Sequence, residues 1–245
     1  MQSSASPPPL PKKKVIFCLP GRQYSNRFLI SWSSLLFHLM LSGAYDIKIS
    51  NDYCSFVSFA RAKCLGASVG RGPNQKPFDA QVDYDVLVWI DSDIVFSPEQ
   101  VVDLIDSAMK DHPVVSGLYM MEDNTHFACV RDWNDSYFLQ HLTYPFETTQ
   151  SLQTYLQTTG QAYLPCAYAG MGFMAIRKGV LEQLPYPWFY RDVHRIQTGD
   201  MTVPELVDQC SEDVALCRNM IDAKIVSAIM VKLNLRVGHE KLKVL

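Results

Sequence analysis

Asp85-Val86-Leu87-Val88-Trp89-Ile90-Asp91-Ser92-Asp93 is an apolar run closed by two carboxylates. Its central five residues leave no polar face, so it predicts a strand buried on both sides, as in a parallel sheet covered by helices. Downstream, Ser97-Pro98-Glu99-Gln100 has the pattern of a helix start, with serine as N-cap, proline at the first position and glutamine at the third. Pro113 to Tyr119 reads as the next strand. Upstream, Val15 to Leu19 is a short apolar run stopped by Pro20-Gly21. A helix is expected from Ser25 to Leu41, where Phe28, Leu29, Trp32, Leu35, Leu36 and Leu39 recur at helical spacing before Ser42-Gly43. Tyr45 to Ser50 alternates as a strand, Tyr53 to Leu65 reads as a helix, and Gly70 to Pro77 as a loop. Alternating strands and helices predict an α/β layer architecture around a parallel sheet.

After Tyr119 the periodicity weakens. Residues 120 to 165 are aromatic and polar, as expected of loops and short antiparallel strands around a binding face. Gly170 to Ile176 predicts a strand, Lys178 to Leu184 a helix, and 185 to 210 a long loop, a length that is usually functional or mobile. Ser211-Glu212-Asp213 caps a helix to about Met220, and Lys224 to Gly238 is strand-like. Neither a repeat nor a second domain boundary is visible. Residues 1–14 are expected to be a disordered leader with solvated lysines, and 15–245 a single domain whose nucleotide-binding half ends near 119.

Composition narrows the partners. The 245 residues carry a formal net charge of -3, with 48% hydrophobic and 19% charged residues, which suits a globular chain without a basic field for nucleic acid. No apolar run is long enough to span a bilayer, and the N-terminus lacks the apolar core of a signal peptide. The seven cysteines show no CxxC pair, which reads as reduced, mostly buried thiols and a cytoplasmic protein. The sequon Asn134-Asp135-Ser136 is taken as chance.

In an open α/β sheet, ligands sit beyond the carboxyl ends of the parallel strands. Asp91 and Asp93 stand at such an end, and their mutual repulsion is relieved by a divalent cation such as Mn²⁺ or Mg²⁺. The plainer alternative is a turn with both aspartates solvated. His239, after an apolar strand and near Lys241, suits a third metal ligand, although a lone histidine is more often a packing residue. Glu212 and Asp213 either cap a helix or face a reacting group, and both roles are compatible. Arg61 lies among apolar neighbours and needs a partner: the Asp91 region, a phosphate or a surface acid. The glycines of Gly170-Met171-Gly172-Phe173 allow close backbone approach to a ligand, or mark a β-bulge.

Taken in order, Leu19-Pro20-Gly21-Arg22, Phe59-Ala60-Arg61-Ala62, Trp89-Ile90-Asp91-Ser92-Asp93, Gly170-Met171-Gly172-Phe173, Ser211-Glu212-Asp213-Val214 and Gly238-His239-Glu240-Lys241 resemble the GT-A fold of nucleotide-sugar glycosyltransferases. More narrowly, the chain is similar to the small glycosyltransferase domains of large algal viruses of the chlorella-virus type, which act in the host cytoplasm. The resemblance covers Val15 to the end and implies a Rossmann-like, mostly parallel sheet with a small antiparallel acceptor side. It implies a UDP-sugar donor, a glycan acceptor and Mn²⁺ (or Mg²⁺), with transfer leaning towards retention. By position, Asp93 and His239 would ligate the metal, with Asp91 on the ribose or a metal-bound water. The nucleotide would lie against Pro20, Gly21, Arg22, Ser92 and Gly172, with Arg61 near the acidic motif and Lys241 at the diphosphate. Asp213 and Glu212 would face the sugar, and Trp188, Phe189 and Tyr190 either wall the acceptor or simply pack their loop. Two other readings stand beside it. Asp91-Ser92-Asp93-Ile94-Val95 also resembles the nucleophile motif of HAD-type phosphohydrolases, though that strand normally opens the domain. A non-catalytic glycan-binding module would also carry aromatic loops and a cation site.

Overall fold

The computed structural model describes residues 11–241, and the first half of the chain alternates strand and helix as its pattern predicts. In order come β1 (Lys13–Pro20), α1 (Asn26–Ser42), β2 (Tyr45–Asp52), α2 (Val57–Cys64), β3 (Val86–Ile90), β4 (Ile94–Val95), α3 (Pro98–Lys110) and β5 (Val114–Leu118). Capping fixes the helix ends. Ser25 Oγ accepts the Phe28 N–H at 3.0 Å, and α1 stops at Gly43, whose φ of 65° is left-handed. Ser97 and Gln100 form the reciprocal box expected at the start of α3. α2 is shorter than the expected Tyr53–Leu65, because Phe56 at its N-cap offers no side-chain oxygen. Of the expected leader, residues 1–10 lie outside the described residues. Lys13 and Lys14 open β1 and pair with Asp106 and Asp83, where solvated lysines were expected.

The second half departs further from its pattern. It holds β6 (His126–Val130), α4 (Asp135–His141), β7 (Phe146–Thr148), α5 (Thr149–Thr159), β8 (Tyr163–Cys166), β9 (Tyr168–Ala169), β10 (Phe173–Arg177), β11 (Asp192–Gln197), β12 (Glu205–Cys210), α6 (Glu212–Asp222), β13 (Ile229–Arg236) and β14 (Gly238–His239). α5 falls where only loops and short strands were expected. It buries Leu152 alone, so no apolar periodicity announces it, and a Thr148–Ser151 capping box starts it. Asn134 of the sequon caps α4. The expected helix from Lys178 reduces to one 3₁₀ turn, Leu181–Gln183, after Gly179 turns the chain at a φ of 95°. Residues 185 to 210 are not one loop: β11 and β12 pair antiparallel from Asp192↔Cys210 to Gln197↔Glu205. Only Ile196 of these two strands is buried, which leaves no strand-like alternation in the sequence.

Seven strands form the main sheet in the order β2-β1-β3-β10-β5-β13-β8. β2, β1, β3, β5 and β13 run one way, and β10 and β8 oppose them. The sheet is therefore mostly parallel, and helices cover both faces. Alternate residues of β1 and β3 feed two cores. Phe17, Val88 and Ile90 pack with Leu35 of α1 and Leu104 of α3, while Cys18, Leu87 and Trp89 pack with Leu216 and Met220 of α6. This is the mixed α/β architecture expected. A small antiparallel sheet, β7-β6-β9, flanks it. Because β1, β3, β5 and β13 share one direction, Pro20, Asp91, Tyr119 and His239 all emerge near one edge. Among the described residues no helix is long and apolar enough to cross a membrane. All seven cysteines are unpaired, and five of them are buried, as expected.

Candidate active site

Arg61 is the centre of the site. It is 3% exposed, a rare state for arginine, and its guanidinium lies 5.7 Å from the Trp89 ring. Nη2 donates to Asp91 Oδ2 and Nε to Glu212 Oε1, each at 3.0 Å, so one cation holds two carboxylates from β3 and α6. Burial works against the charge on Arg61, but Asp91 and Glu212 outweigh it and stabilise the guanidinium. Burial likewise pushes the Glu212 carboxyl up, against the pull of Arg61 and with a further push from Asp213. Arg61 Nη1 and Asp91 Oδ1 are buried without a partner, one donor and one acceptor left over beside the same ion pair.

Two residues on, Asp93 belongs to a different group. β14 pairs with β4 through His239↔Ile94, which carries the chain's last described residues back over the acidic motif. The Glu240 N–H donates to the Asp93 carbonyl at 2.7 Å. His239 Nε2 lies 3.2 Å and Lys241 Nζ 2.8 Å from Asp93 Oδ2. Burial would raise the Asp93 carboxyl, but these two neighbours hold it down at about 2. His239 Nδ1 is 2.5 Å from the Met120 carbonyl, an acceptor only, so Nδ1 donates there and fixes the ring with Nε2 turned to Asp93. Among the described residues no three acidic, histidine or cysteine side chains are grouped to hold a metal ion. The fold assembles Asp93 with His239, the expected third ligand, whereas Asp91, also expected at the metal, is turned to Arg61.

Asp213 stands on the other side of Glu212. Its Oδ2 accepts from the Tyr168 hydroxyl at 3.0 Å, and Oδ1 accepts from the Val214 N–H at 2.9 Å and from Ser211 Oγ. Ser211 is the N-cap residue of α6, yet its hydroxyl serves Asp213 and makes no cap hydrogen bond. Tyr168 remains a donor, because burial and then the charge of Asp213 push its phenol well up. Tyr168, Tyr119 and the Met120 carbonyl were not foreseen. A strand-end tyrosine has no sequence mark separating it from a core aromatic.

Tyr119 explains the glycines of Gly170-Met171-Gly172. Its hydroxyl accepts the Gly172 N–H at 3.1 Å, its ring lies 5.1 Å from His239, and the Gly172 carbonyl receives the Asp91 N–H at 2.9 Å. A Cβ at Gly170 would sit 2.0 Å from the Tyr119 hydroxyl, and one at Gly172 3.0 Å from its ring. Gly170→Ala is therefore expected to lower stability by about 1–3 kcal/mol in urea unfolding. In a Tyr119→Phe background the same change should cost less, since the hydroxyl is the clashing atom.

At the end of β1, Pro20 is buried, and a Cβ on Gly21 would come within 3.1 Å of Ser92 Cβ, so only glycine lets this turn meet the acidic motif. Arg22 is exposed, 5.7 Å from the Tyr53 ring. Trp188 and Phe189 take the packing role, the alternative to an acceptor wall, and are core residues. Trp188 is fully buried, Phe189 packs edge-on to Trp89 at 5.5 Å, and the Tyr190 hydroxyl donates to Asn219 at 2.9 Å. Two cavities flank the α6 N-terminus. One of about 440 Å³ lies over Ser58, Arg191 and Glu212, and one of about 240 Å³ is bounded by Trp133, Tyr168 and Ser211.

No family model and no curated protein matches the chain. Among solved structures it is similar to A197 from STIV, at 14% identity over 95% of this chain and 96% of that one, with a TM-score of 0.49. It is also similar to glucosyl-3-phosphoglycerate synthase from Mycobacterium tuberculosis in complex with Mn²⁺ and uridine-diphosphate-glucose, at 12% identity over 95% and 73% of the two chains, TM-score 0.43. The same enzyme with Mn²⁺, uridine-diphosphate and phosphoglyceric acid gives 13%, 95%, 72% and 0.42. At these TM-scores the likenesses bear on neither activity nor ligand.

Proposed function

We propose that the chain is a metal-dependent glycosyltransferase of GT-A type, moving a hexosyl group from a UDP-sugar to a glycan hydroxyl. The observation that carries this is the separation of four acids into distinct jobs at one sheet edge. Arg61 takes up Asp91 and Glu212, Asp93 faces His239 and Lys241, and Asp213 is held by Tyr168 and Ser211, which line a cavity.

The donor set at Asp93 fits Mn²⁺ or Mg²⁺. A carboxylate and an imidazole Nε2 whose other nitrogen is tied to a carbonyl are borderline-hard ligands, with the ring orientation already fixed. A divalent cation held there supplies Lewis-acid stabilisation of the charge on the departing diphosphate. Lys241, now on Asp93, would be the cation for the diphosphate. Asp91, anchored by Arg61 through Oδ2, would be fixed beside the ribose or a metal-bound water. Pro20, Gly21, Arg22, Ser92 and Gly172 line the nucleotide path.

We read the transfer as retaining. Asp213 already accepts three hydrogen bonds, which suits a fixed negative charge steadying an oxocarbenium-like transition state more than a base awaiting a proton. Glu212 is buried under Arg61 and positions it. A HAD-type phosphohydrolase is less well served, because it needs the Asp91 carboxylate open to a phosphoryl group. Here one oxygen is bound to Arg61 and the other is buried. A virally encoded enzyme of the host cytoplasm, with residues 15–245 as one domain, is the setting we propose. Calorimetry with UDP, with and without Mn²⁺, tests the reading. Metal-dependent binding is expected. Phosphate release from monoesters with no UDP binding would overturn it.

A further inference from the structure

We infer that the cavity of about 240 Å³ beside Asp213 is an acceptor subsite that takes one neutral pyranose ring. This rests on the glycosyltransferase reading above and adds to it the place and chemical class of the acceptor. The cavity reaches the reacting group through its own lining. Tyr168 and Ser211, both of its lining, hold the two oxygens of the Asp213 carboxylate, so a ring seated here brings a hydroxyl to that residue.

Size limits the occupant. The volume is that of about eight waters and lies below the ~300–1,000 Å³ of pockets for larger ligands, so it suits a single ring. The chemistry of the wall is divided. Trp133 and Tyr144, edge to face at 4.8 Å, supply a half-buried aromatic side. Asp208 and Gln209 of β12 and Ser211 supply polar groups on the other. Apolar ring faces with hydroxyls at the rim match a sugar, whose C–H face packs on aromatics while its hydroxyls reach the polar edge.

Charge excludes the alternatives. Arg218 lies over the Trp133 ring at 4.7 Å and is engaged by Asp192 and His194, so a cationic ligand would meet a guanidinium already in place. An anion would meet Asp208 in the wall, with Asp213 behind Tyr168 and Ser211. A neutral polyol avoids both penalties. The β11–β12 hairpin, absent from the expectations drawn from sequence, is what brings Asp208 and Gln209 to this wall.

Ligand-detected NMR on the full chain with methyl gluco-, galacto-, manno- and xylopyranosides tests the inference, with methylcyclohexanol as the apolar control and UDP–Mn²⁺ calorimetry on the same samples. One pyranoside is expected to bind where the control does not. Asp208→Asn and Trp133→Phe should each weaken it about tenfold with UDP binding unchanged. Asp208 is exposed, so its variant reports on the cavity even if Trp133→Phe disturbs packing. No pyranoside binding while UDP binds, or binding equal in both variants and wild type, overturns the subsite. Pyranoside binding that is lost in the variants, in a protein that never binds UDP, overturns the acceptor role together with the transferase reading.

Discussion

Arg61→Met is expected to cost about 3–5 kcal/mol of folding stability at neutral pH, among the largest single effects in the molecule. Methionine keeps the bulk and removes the charge, so Asp91 and Glu212 remain beside a fully buried Trp89 with no countercharge. Urea unfolding measures the loss. The sign of its pH dependence is fixed by the same groups. Burial already raises the Glu212 carboxyl and the guanidinium opposes that rise, so without Arg61 the native state binds more protons than the unfolded one and the penalty shrinks as pH falls towards 4. A penalty that stays flat between pH 7 and pH 4 would show that Arg61 acts by packing alone. Arg61→Lys should fall between wild type and Arg61→Met. A single ammonium keeps the charge but cannot serve two acids from the two faces of a planar fork. Adding Glu212→Gln to Arg61→Met should recover part of the loss, because one of the two stranded charges is then gone.

On the proposed glycosyltransferase reading, Asp93→Ala should lower turnover by about a thousandfold while leaving the fold intact. The side chain is partly exposed, and its partners His239 and Lys241 reach solvent once it is removed, so little stability is at stake. What disappears is the only carboxylate that the described residues place against His239. UDP binding should lose its dependence on Mn²⁺ in this variant, and His239→Ala should weaken the metal response about 10–100-fold. Turnover within threefold of wild type in Asp93→Ala would rule out this pair as the metal site. Arg61→Met would not distinguish the site from its scaffold, whereas Asp93→Ala does.

Much of this was legible because the residues concerned announce themselves by period or by type. Val86 to Ile90 could only be a strand buried on both faces, since every position is apolar, and the structure buries all five. Ser25, Ser97 and Gly43 mark helix ends through local hydrogen bonding and backbone conformation, which depend on neighbouring residues alone. Arg61 was suspected for want of a partner in an apolar helix, and the fold gives it two.

The failures have two causes. α5 and the β11–β12 hairpin bury few apolar residues, so no periodicity marks them, whereas the Lys178 segment buries Val180, Leu181 and Leu184 but is cut to a single 3₁₀ turn after Gly179. By itself, then, the sequence determined the buried strand ending in Asp91 and Asp93, the strand–helix alternation around it, and the list of charged candidates. Only the tertiary structure decided how those candidates divide. Asp91 and Asp93 are two residues apart, yet one turns to Arg61 and the other to His239, because their partners arrive from α2 and β14. That choice depends on contacts spanning 30 residues in one case and 146 in the other, and no local pattern encodes a distance of that kind.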